Sequence, residues 1–322
     1  MKKLVTMMAM ASISLMTMAQ EPLRSGLDVT DFDTSVRPGD DFYEYACGGW
    51  MKKNPLPAAY SRYGSFDRLQ EDNDKRINGI LTELLNNSYQ KGTIEQKLSD
   101  LYKLAMDSTR RNQEGVAPLM PLIKRLEAAK TNKQLLDIQL ELAPYGEQEF
   151  FYAGFGADEK NATQNILSVY QGGLSLGQKE YYLDNDKATA DIREAFKKHV
   201  VKMFQLFGFS KSAATKKMQN VMKVETALAK VSKSRTELRD PEANYNKMTL
   251  DEFQQNYPNL PLVQVMNAQG VATKYLQEMV VGQPAFLEGA NRLVGSIKPA
   301  EYRDVMEWGF ISGAANYLSD AT

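Results

Sequence analysis

Residues that could bind a transition metal are scarce in this chain. The 322 residues contain one histidine, His199, and one cysteine, Cys47. A catalytic zinc ion takes three or four protein ligands, usually with His or Cys among them. A His-Glu-x-x-His pair is therefore impossible within these residues. The sequence predicts no metal ligand and no catalytic residue of a zinc-dependent reaction in the chain as given.

Other catalytic arrangements would have to use the same histidine. A Ser-His-Asp or Cys-His mechanism needs an imidazole as general base, and His199 lies beside the apolar face of a helical pattern. We interpret it as a packing or boundary residue. Asp184-x-Asp186 suggests a calcium loop. However, Ala188 stands at the third ligand position of an EF-hand loop, and Ala195 stands at its twelfth residue, where the bidentate Glu is required. No reaction centre is visible from the residues alone.

Composition narrows the class of protein. The formal charge is −1, and lysine and arginine alternate with acidic residues instead of forming a basic block. A nucleic-acid partner is therefore not expected. The length and the 43% hydrophobic content are sufficient for one large domain or two smaller ones.

The first residues resemble a targeting signal. Lys2 and Lys3 precede an uncharged apolar run, Leu4–Met18, which is followed by Ala19. This order predicts a secretory signal peptide over residues 1–19, with an uncleaved anchor as the alternative. We expect export to the periplasm or the extracellular space, with no stable membrane span after cleavage. Cys47 then stays free or pairs with a residue outside this sequence.

Helical periodicity dominates most of the chain. The aromatic run Asp40–Met51 predicts a helix that ends at Gly48-Gly49. Further apolar stripes follow at i, i+3, i+4 spacing, for example at Ile77, Ile80, Leu81, Leu84 and Leu85. Thr131 and Thr249 are predicted helix caps.

The middle of the chain has a different pattern. The runs 149–156 and 165–170 are rich in aromatic, glycine and β-branched residues and flank a polar stretch, which predicts a β-hairpin. Helices are predicted again from about Thr189 to the last helix at 300–318. The fold class is mainly α: a multi-helical lobe with one small β-hairpin.

The segment Asp40–Trp50 reads D-D-F-Y-E-Y-A-C-G-G-W. It resembles the D-D-F-Y-x-Y-A-C-G-G-W segment of the neprilysin-like zinc endopeptidases, the family of neprilysin and endothelin-converting enzyme. Further matches follow in family order up to the end of the chain: Ser61–Asp67 (S-R-Y-G-x-F-D), Gln171–Leu176 with Tyr181-Tyr182, Glu225–Ala229 (E-T-x-L-A), Arg239–Pro241 (R-D-P) and Tyr245–Thr249 (Y-N-K-M-T).

The resemblance implies a two-lobed enzyme that cleaves peptides within a central cavity. One lobe is largely helical; the other resembles thermolysin and carries the zinc motif. By this resemblance, residues 71–322 are the helical, substrate-enclosing lobe, incomplete and truncated before the catalytic lobe. Residues 20–70 are an N-terminal segment expected to pack against that missing C-terminal lobe. One zinc ion is implied as cofactor of the full-length enzyme, and the chain alone is expected to be inactive.

The resemblance also implies two substrate-binding residues. Arg62 matches the family arginine that binds the C-terminal carboxylate of short peptides, and Asp67 matches the acidic residue that helps to hold it. A guanidinium can bind a carboxylate through two parallel hydrogen bonds. Gln70 stands where animal members often have a second arginine, so we expect weaker carboxylate binding. Without the resemblance, Arg62 is an ordinary surface arginine.

A second departure concerns disulfides. Animal members have a cysteine at the position of Gly39, and their A-C-G-G-W cysteine pairs near the C-terminus. Gly39 removes the first bridge, and Cys47 keeps the second only if the absent lobe supplies a partner. Three functions remain: the N-terminal part of an exported zinc metalloendopeptidase, a non-catalytic exported helical module that binds peptides or a partner, or a periplasmic scaffold unrelated to peptides.

Overall fold

The computed structural model describes residues 26–146 and 150–322. The predicted signal peptide, residues 1–19, lies outside the described residues. The chain forms two compact units, Met1–Tyr102 and Lys103–Thr322. Within the described residues, no helix combines the length and the apolar character that a membrane crossing requires.

The first unit consists of helices joined by irregular segments. Helix α1 is Phe42–Lys53, α2 is Ser65–Leu85, and α3, Ile94–Met106, extends past the end of the unit. The Asp41 side chain caps α1 by accepting a hydrogen bond from the backbone N–H of Glu44. None of the described hydrophobic side chains in this unit is buried.

Helix α1 does not end at its glycines, which corrects the prediction. A Cβ atom on Gly49 would lie 2.7 Å from the Thr30 carbonyl oxygen, and one on Gly48 would lie 2.9 Å from the Asp33 Cβ. The two glycines therefore allow the preceding segment to approach α1 closely. The two glycines serve this close packing and do not end the helix, which continues to Lys53.

The second unit contains ten further described helices. The predicted caps are confirmed, since Thr131 and Thr249 each accept a hydrogen bond from the backbone N–H three residues later. The helices are α4 Ser108–Glu114, α5 Met120–Ala128, α6 Asn132–Leu142, α7 Glu180–Leu183, α8 Lys187–Leu206, α9 Lys211–Val231, α10 Leu250–Asn256, α11 Leu262–Ala268, α12 Pro284–Ser296 and α13 Pro299–Ala314.

The predicted hairpin is present and is part of a larger sheet. Strand β1, Phe151–Asp158, pairs antiparallel with β2, Asn161–Gln171. Two four-residue strands, β3 Asn246–Thr249 and β4 Glu278–Val281, complete the order β1-β2-β4-β3, with β4 parallel to β2. The prediction missed these strands because four residues are too few to show an alternating pattern.

The second unit has two hydrophobic clusters. One packs the sheet against α5, α6 and α9 to α13, and the other lies among α5, α7, α8, α9 and α13. Helices α9 and α13 contribute to both clusters, so they are apolar on more than one side. Some of their polar side chains are consequently buried, among them Lys217, Asn220 and Glu225 of α9 and Asp304 and Glu307 of α13.

Candidate functional site

Arg62 lies in a bend before α2 and is exposed. Among the described residues, its guanidinium has no hydrogen-bond or ion-pair partner. Asp67 is half-buried in the first turn of α2, where its Oδ2 accepts a hydrogen bond of 2.8 Å from the backbone N–H of Gly64. The structure therefore gives Asp67 a capping role and shows no direct ion pair between the two residues. Their role in substrate binding stays a prediction.

Aromatic residues flank Arg62 in sequence and pack together. The rings of Tyr60 and Tyr63 lie 5.2 Å apart, and that of Tyr63 lies 6.0 Å from Trp50. The Tyr63 hydroxyl donates a hydrogen bond of 3.0 Å to Glu71. A hydrogen bond to Glu71 raises the pKa of Tyr60, and desolvation together with the same carboxylate raises the pKa of Tyr63. These contacts fix the backbone on both sides of Arg62.

Gln70 is the residue for which the resemblance predicts a second arginine in animal members. Its side-chain amide donates a hydrogen bond of 2.8 Å to Asp74, one turn further along α2. A neutral amide in this contact adds no positive charge near Arg62.

A second group of polar residues is buried in the second unit. The Lys217 ammonium donates hydrogen bonds to Glu127 (2.6 Å), Asp304 (2.9 Å) and Glu307 (2.6 Å). Asn220 donates a further hydrogen bond of 2.6 Å to Asp304. Asp304 and Glu307 are 1% and 0% exposed, so these contacts replace the water that both carboxylates lose on folding.

Burial and charge act in opposite directions within this group. Burial raises the pKa of Glu307 to about 8, against the attraction of Lys217. Burial by itself lowers the pKa of Lys217, but the carboxylates of Glu307 and Glu127 raise this pKa above the ordinary value. Desolvation opposes ionisation of Glu127, yet the hydrogen bond from Lys217 lowers its pKa. Burial therefore favours the protonated form of Glu307, whereas the surrounding carboxylates favour the charged form of Lys217.

This carboxylate group is the candidate for metal binding within the described residues. One oxygen atom each from Glu127, Asp304 and Glu307 lies within 4.8 Å of the others. However, the Lys217 ammonium is bonded to all three and takes the position of a cation. The three ligands are also all oxygen atoms, without the nitrogen or sulfur that zinc favours. The described residues do not fit a zinc site.

A second buried carboxylate has hydroxyl partners. Glu225 of α9 is 3% exposed and accepts hydrogen bonds of 2.6 Å from both Ser175 and Tyr182. The Trp308 indole N–H donates to the Ser175 hydroxyl at 2.8 Å. Burial raises the pKa of Glu225 to about 7. The network fixes the glycine loop that precedes Ser175. We therefore interpret the family-like segments around 171–176 and 225 as structural.

Local sequence gave little indication of either buried group. Lys217 and Glu225 lie on a helix that appears polar from its composition, and their partners lie more than 40 residues away in sequence, as the Glu225–Tyr182 and Lys217–Asp304 contacts show. His199 is exposed, and its ring meets the edge of the Trp308 ring at 5.8 Å. This contact fits its interpretation as a boundary residue.

Comparison with known proteins identifies the family. The model described as "Peptidase family M13" matches residues 38–322. Human endothelin-converting enzyme 1 is 31% identical over 301 residues, which are 90% of this chain and 38% of that protein. Mouse neprilysin is 25% identical over 324 residues, covering 90% of this chain and 42% of neprilysin.

Solved structures agree with this comparison. The crystal structure of the Mycobacterium tuberculosis zinc metalloprotease ZMP1 with an inhibitor matches with a TM-score of 0.82 at 25% identity, covering 92% of this chain and 45% of ZMP1. PepO from Lactobacillus rhamnosis has the same fold, with a TM-score of 0.72 at 23% identity.

The mainly helical unit with its small sheet is thus the fold of the N-terminal part of this class of metallopeptidase. The chain belongs to peptidase family M13. It spans about two fifths of the length of the curated relatives given above.

Proposed function

We propose that this chain is the N-terminal portion of an exported, zinc-dependent metalloendopeptidase that cleaves peptides. The observation that carries the proposal is the family match over residues 38–322, with a fold shared with a zinc metalloprotease. The 322 residues contain a single histidine. The zinc ion of the full-length enzyme is therefore bound by ligands outside them, and this portion supplies a lobe that encloses the substrate.

The apolar surface of the first unit supports a role in packing. Phe42 and Tyr43 of α1 are both 68% exposed, and Leu56 is 57% exposed. Exposed apolar side chains grouped in one segment are typical of surfaces that a partner covers. We propose that the segment 20–70 packs against the C-terminal catalytic lobe of the complete protein.

Arg62 is the substrate-binding residue that the proposal assigns to this chain. Its exposed guanidinium has no partner among the described residues, and the aromatic contacts on both sides restrict its backbone. It is thus free to bind the C-terminal carboxylate of a peptide. Asp67 contributes by fixing the start of α2 through its hydrogen bond to Gly64.

The first experiment concerns the complete reading frame. We expect it to continue beyond codon 322 into a His-Glu-x-x-His motif. The complete product should bind one zinc ion, measured by mass spectrometry of the metal, and should hydrolyse an internally quenched peptide. The 322-residue chain is the control and should be inactive. A stop codon directly after Thr322 would instead favour the non-catalytic binding module, as would peptide hydrolysis that chelators leave unchanged.

A second experiment tests Arg62 in the complete protein. Arg62→Ala should raise the KM for peptides with a free C-terminal carboxylate by about 10- to 150-fold, because charged hydrogen bonds of this kind contribute about 1.5–3 kcal/mol and each 1.4 kcal/mol is about a factor of ten. The KM for the same peptides with a C-terminal amide should stay unchanged. The control is Arg76→Ala, an exposed arginine on α2. Equal effects on both peptides would contradict the assignment.

Export is tested at the N-terminus. Proteins secreted through a signal peptide lose it, so the mature product should begin at Gln20 and should occur in the periplasmic or extracellular fraction. N-terminal sequencing of the fractionated protein measures this. A product that retains Met1 and stays in the cytoplasm would refute export.

A further inference from the structure

A cavity of about 410 Å³ opens on the second unit, between the turn of the β-hairpin and the segment 237–244. This volume lies within the range of about 300–1,000 Å³ that is usual for small-molecule sites. Its lining consists of two charged side chains, Glu159 and Arg239, three apolar or aromatic side chains and three amides. All of these residues belong to one compact unit.

The floor of the cavity is held by amide hydrogen bonds. Gln283 is 4% exposed, and its Oε1 accepts a hydrogen bond of 2.9 Å from the backbone N–H of Gln171. Its Nε2 donates to Asn244 Oδ1 at 3.1 Å. Asn244 in turn donates to the backbone oxygen of Asp240 at 2.6 Å. The floor is therefore formed before any ligand binds.

Glu159 lies at one side of the cavity, on a turn that is fixed on both sides. The preceding residue, Asp158, is 5% exposed and accepts a hydrogen bond of 2.9 Å from the Tyr245 hydroxyl. The following residue, Lys160, forms an ion pair of 2.7 Å with Glu242 and lies 4.7 Å from the centre of the Tyr245 ring. The Glu159 carboxylate is thus held near the cavity although it has no partner among the described residues.

Arg239 lines the cavity from the other segment. It ends the short 3-10 helix Glu237–Arg239, whose first residue accepts hydrogen bonds of 2.7 Å from both the backbone N–H and the hydroxyl of Ser234. Within the described residues, the Arg239 guanidinium has no ion-pair or hydrogen-bond partner, and it does not pair with Glu159. The cavity therefore offers one uncompensated cation and one uncompensated anion.

Apolar groups complete the lining. Tyr170 lies close against the backbone at Gly282, where a Cβ atom would come within 3.0 Å of its ring. The tyrosine is 44% exposed and Leu238 is 40% exposed, so both present apolar surface to solvent. Aromatic and aliphatic surface next to fixed polar groups is the usual composition of a ligand site.

We propose that this cavity binds a short zwitterionic peptide, of dipeptide size, with one apolar side chain. The carboxylate pairs with the Arg239 guanidinium through charged hydrogen bonds, and the α-ammonium pairs with Glu159. The apolar side chain packs against Tyr170 and Leu238, and the peptide amide meets the side chains of the floor. Two unpaired charges of opposite sign in one cavity favour this ligand over a simple anion. The site does not depend on the proposed peptidase function.

The test is calorimetric titration of the complete, chelator-treated protein, so that no peptide is hydrolysed. The probes are the dipeptide Ala-Phe, its N-acetyl derivative and its C-terminal amide. We expect Ala-Phe to bind at least tenfold more tightly than either derivative. Arg239→Gln should abolish the preference over the amide, and Glu159→Gln should abolish the preference over the acetyl derivative.

Two further variants separate this site from other surfaces. Arg235→Gln changes an exposed arginine outside the cavity and should leave all affinities within twofold. Arg76→Ala, which changes an exposed arginine in the first unit, should do the same for Ala-Phe. The proposal is overturned if the unmodified protein shows no saturable binding of Ala-Phe. It is also overturned if all three probes bind equally, or if either cavity variant keeps its affinity for Ala-Phe within twofold.

Discussion

Amphipathic helices of similar pattern have different surroundings in the two units. On α2 of the first unit, Ile77 and Ile80 are 54% and 60% exposed, whereas on α8 of the second unit Val200 and Met203 are 0% and 1% exposed. The apolar spacing predicts a helix in both cases. It does not tell whether the partner of the apolar face lies in the same unit. The second unit contains its own core, and the first exposes the surface from which a core could be built.

Charged residues differ between the units in the same way. The ion pairs of the first unit include exposed lysines, such as Lys52 with Asp33. The second unit buries Lys217 and Glu225 between the two hydrophobic clusters. Polar side chains inside a closed core affect stability strongly, since they lose water on folding. The comparison therefore predicts large effects of substitution in the second unit and small ones in the first.

The largest expected effect comes from a pair of phenylalanines. Phe286→Ala removes a ring that is 0% exposed and should lower the free energy of unfolding of the second unit by about 3–5 kcal/mol. The matched variant, Phe66→Ala, changes a ring that is 85% exposed and should alter stability by less than about 0.5 kcal/mol. Urea denaturation followed by circular dichroism measures both. Similar losses in the two variants would contradict the comparison.

A pair of lysines on α9 should differ almost as much. Lys217→Met leaves the buried Glu307 without its ammonium partner and Asp304 with Arg303 as its remaining cation, and should cost about 3–5 kcal/mol. Lys223→Met removes an ion pair with Glu301 in which the lysine is 63% exposed, and should cost at most about 1 kcal/mol. The same urea experiment measures both, and equal costs would show that the buried group is not needed for stability.

The stability of the second unit should fall as pH rises from about 5 to 7. The folded pKa of Glu225, about 7, lies above the ordinary value of 4.5, so the folded state keeps a proton that the unfolded chain releases in this range. Glu307 acts in the same direction up to about pH 8. Glu225→Gln should reduce the slope by up to about 1.4 kcal/mol per pH unit.

Fluorescence can isolate this effect because the chain has two tryptophans, one in each unit. In a Trp50→Phe background, Trp308 alone reports unfolding of the second unit. The control is Glu194→Gln on the exposed side of α8, where Lys197 lowers the pKa of the carboxylate. An unchanged pH slope in Glu225→Gln would show that Glu225 does not carry the raised pKa.

The smallest expected effect concerns glycines of the first unit. Gly49→Ala would bring a Cβ atom within 2.8 Å of the Asp31 backbone and should destabilise α1 locally by about 1–3 kcal/mol. Gly79→Ala meets nothing within 4 Å and should stabilise α2 by up to about 1 kcal/mol. Amide hydrogen exchange of the two helices measures this. Equal protection in both variants would mean that the Val29–Asp31 segment does not pack on α1.

Much of the fold follows from local sequence. Thr131 and Thr249 cap helices as predicted, because capping depends on residues only three positions apart. The hairpin of β1 and β2 follows from neighbouring runs joined by a short turn. Family membership is also confirmed, since the matching segments are specific and occur in order. The roles of Arg62 and Asp67 came from that resemblance and stay predictions.

The sequence by itself determined the helical class and the family, because these depend on composition and on residues close together in the chain. Only the tertiary structure decided that α1 runs through Gly48-Gly49, that β4 joins β2 in parallel, and that Lys217 and Glu225 are buried. The cavity between Glu159 and Arg239 is a further feature that only the tertiary structure decided. Each of these features depends on contacts between segments that are distant in sequence, which local patterns do not specify.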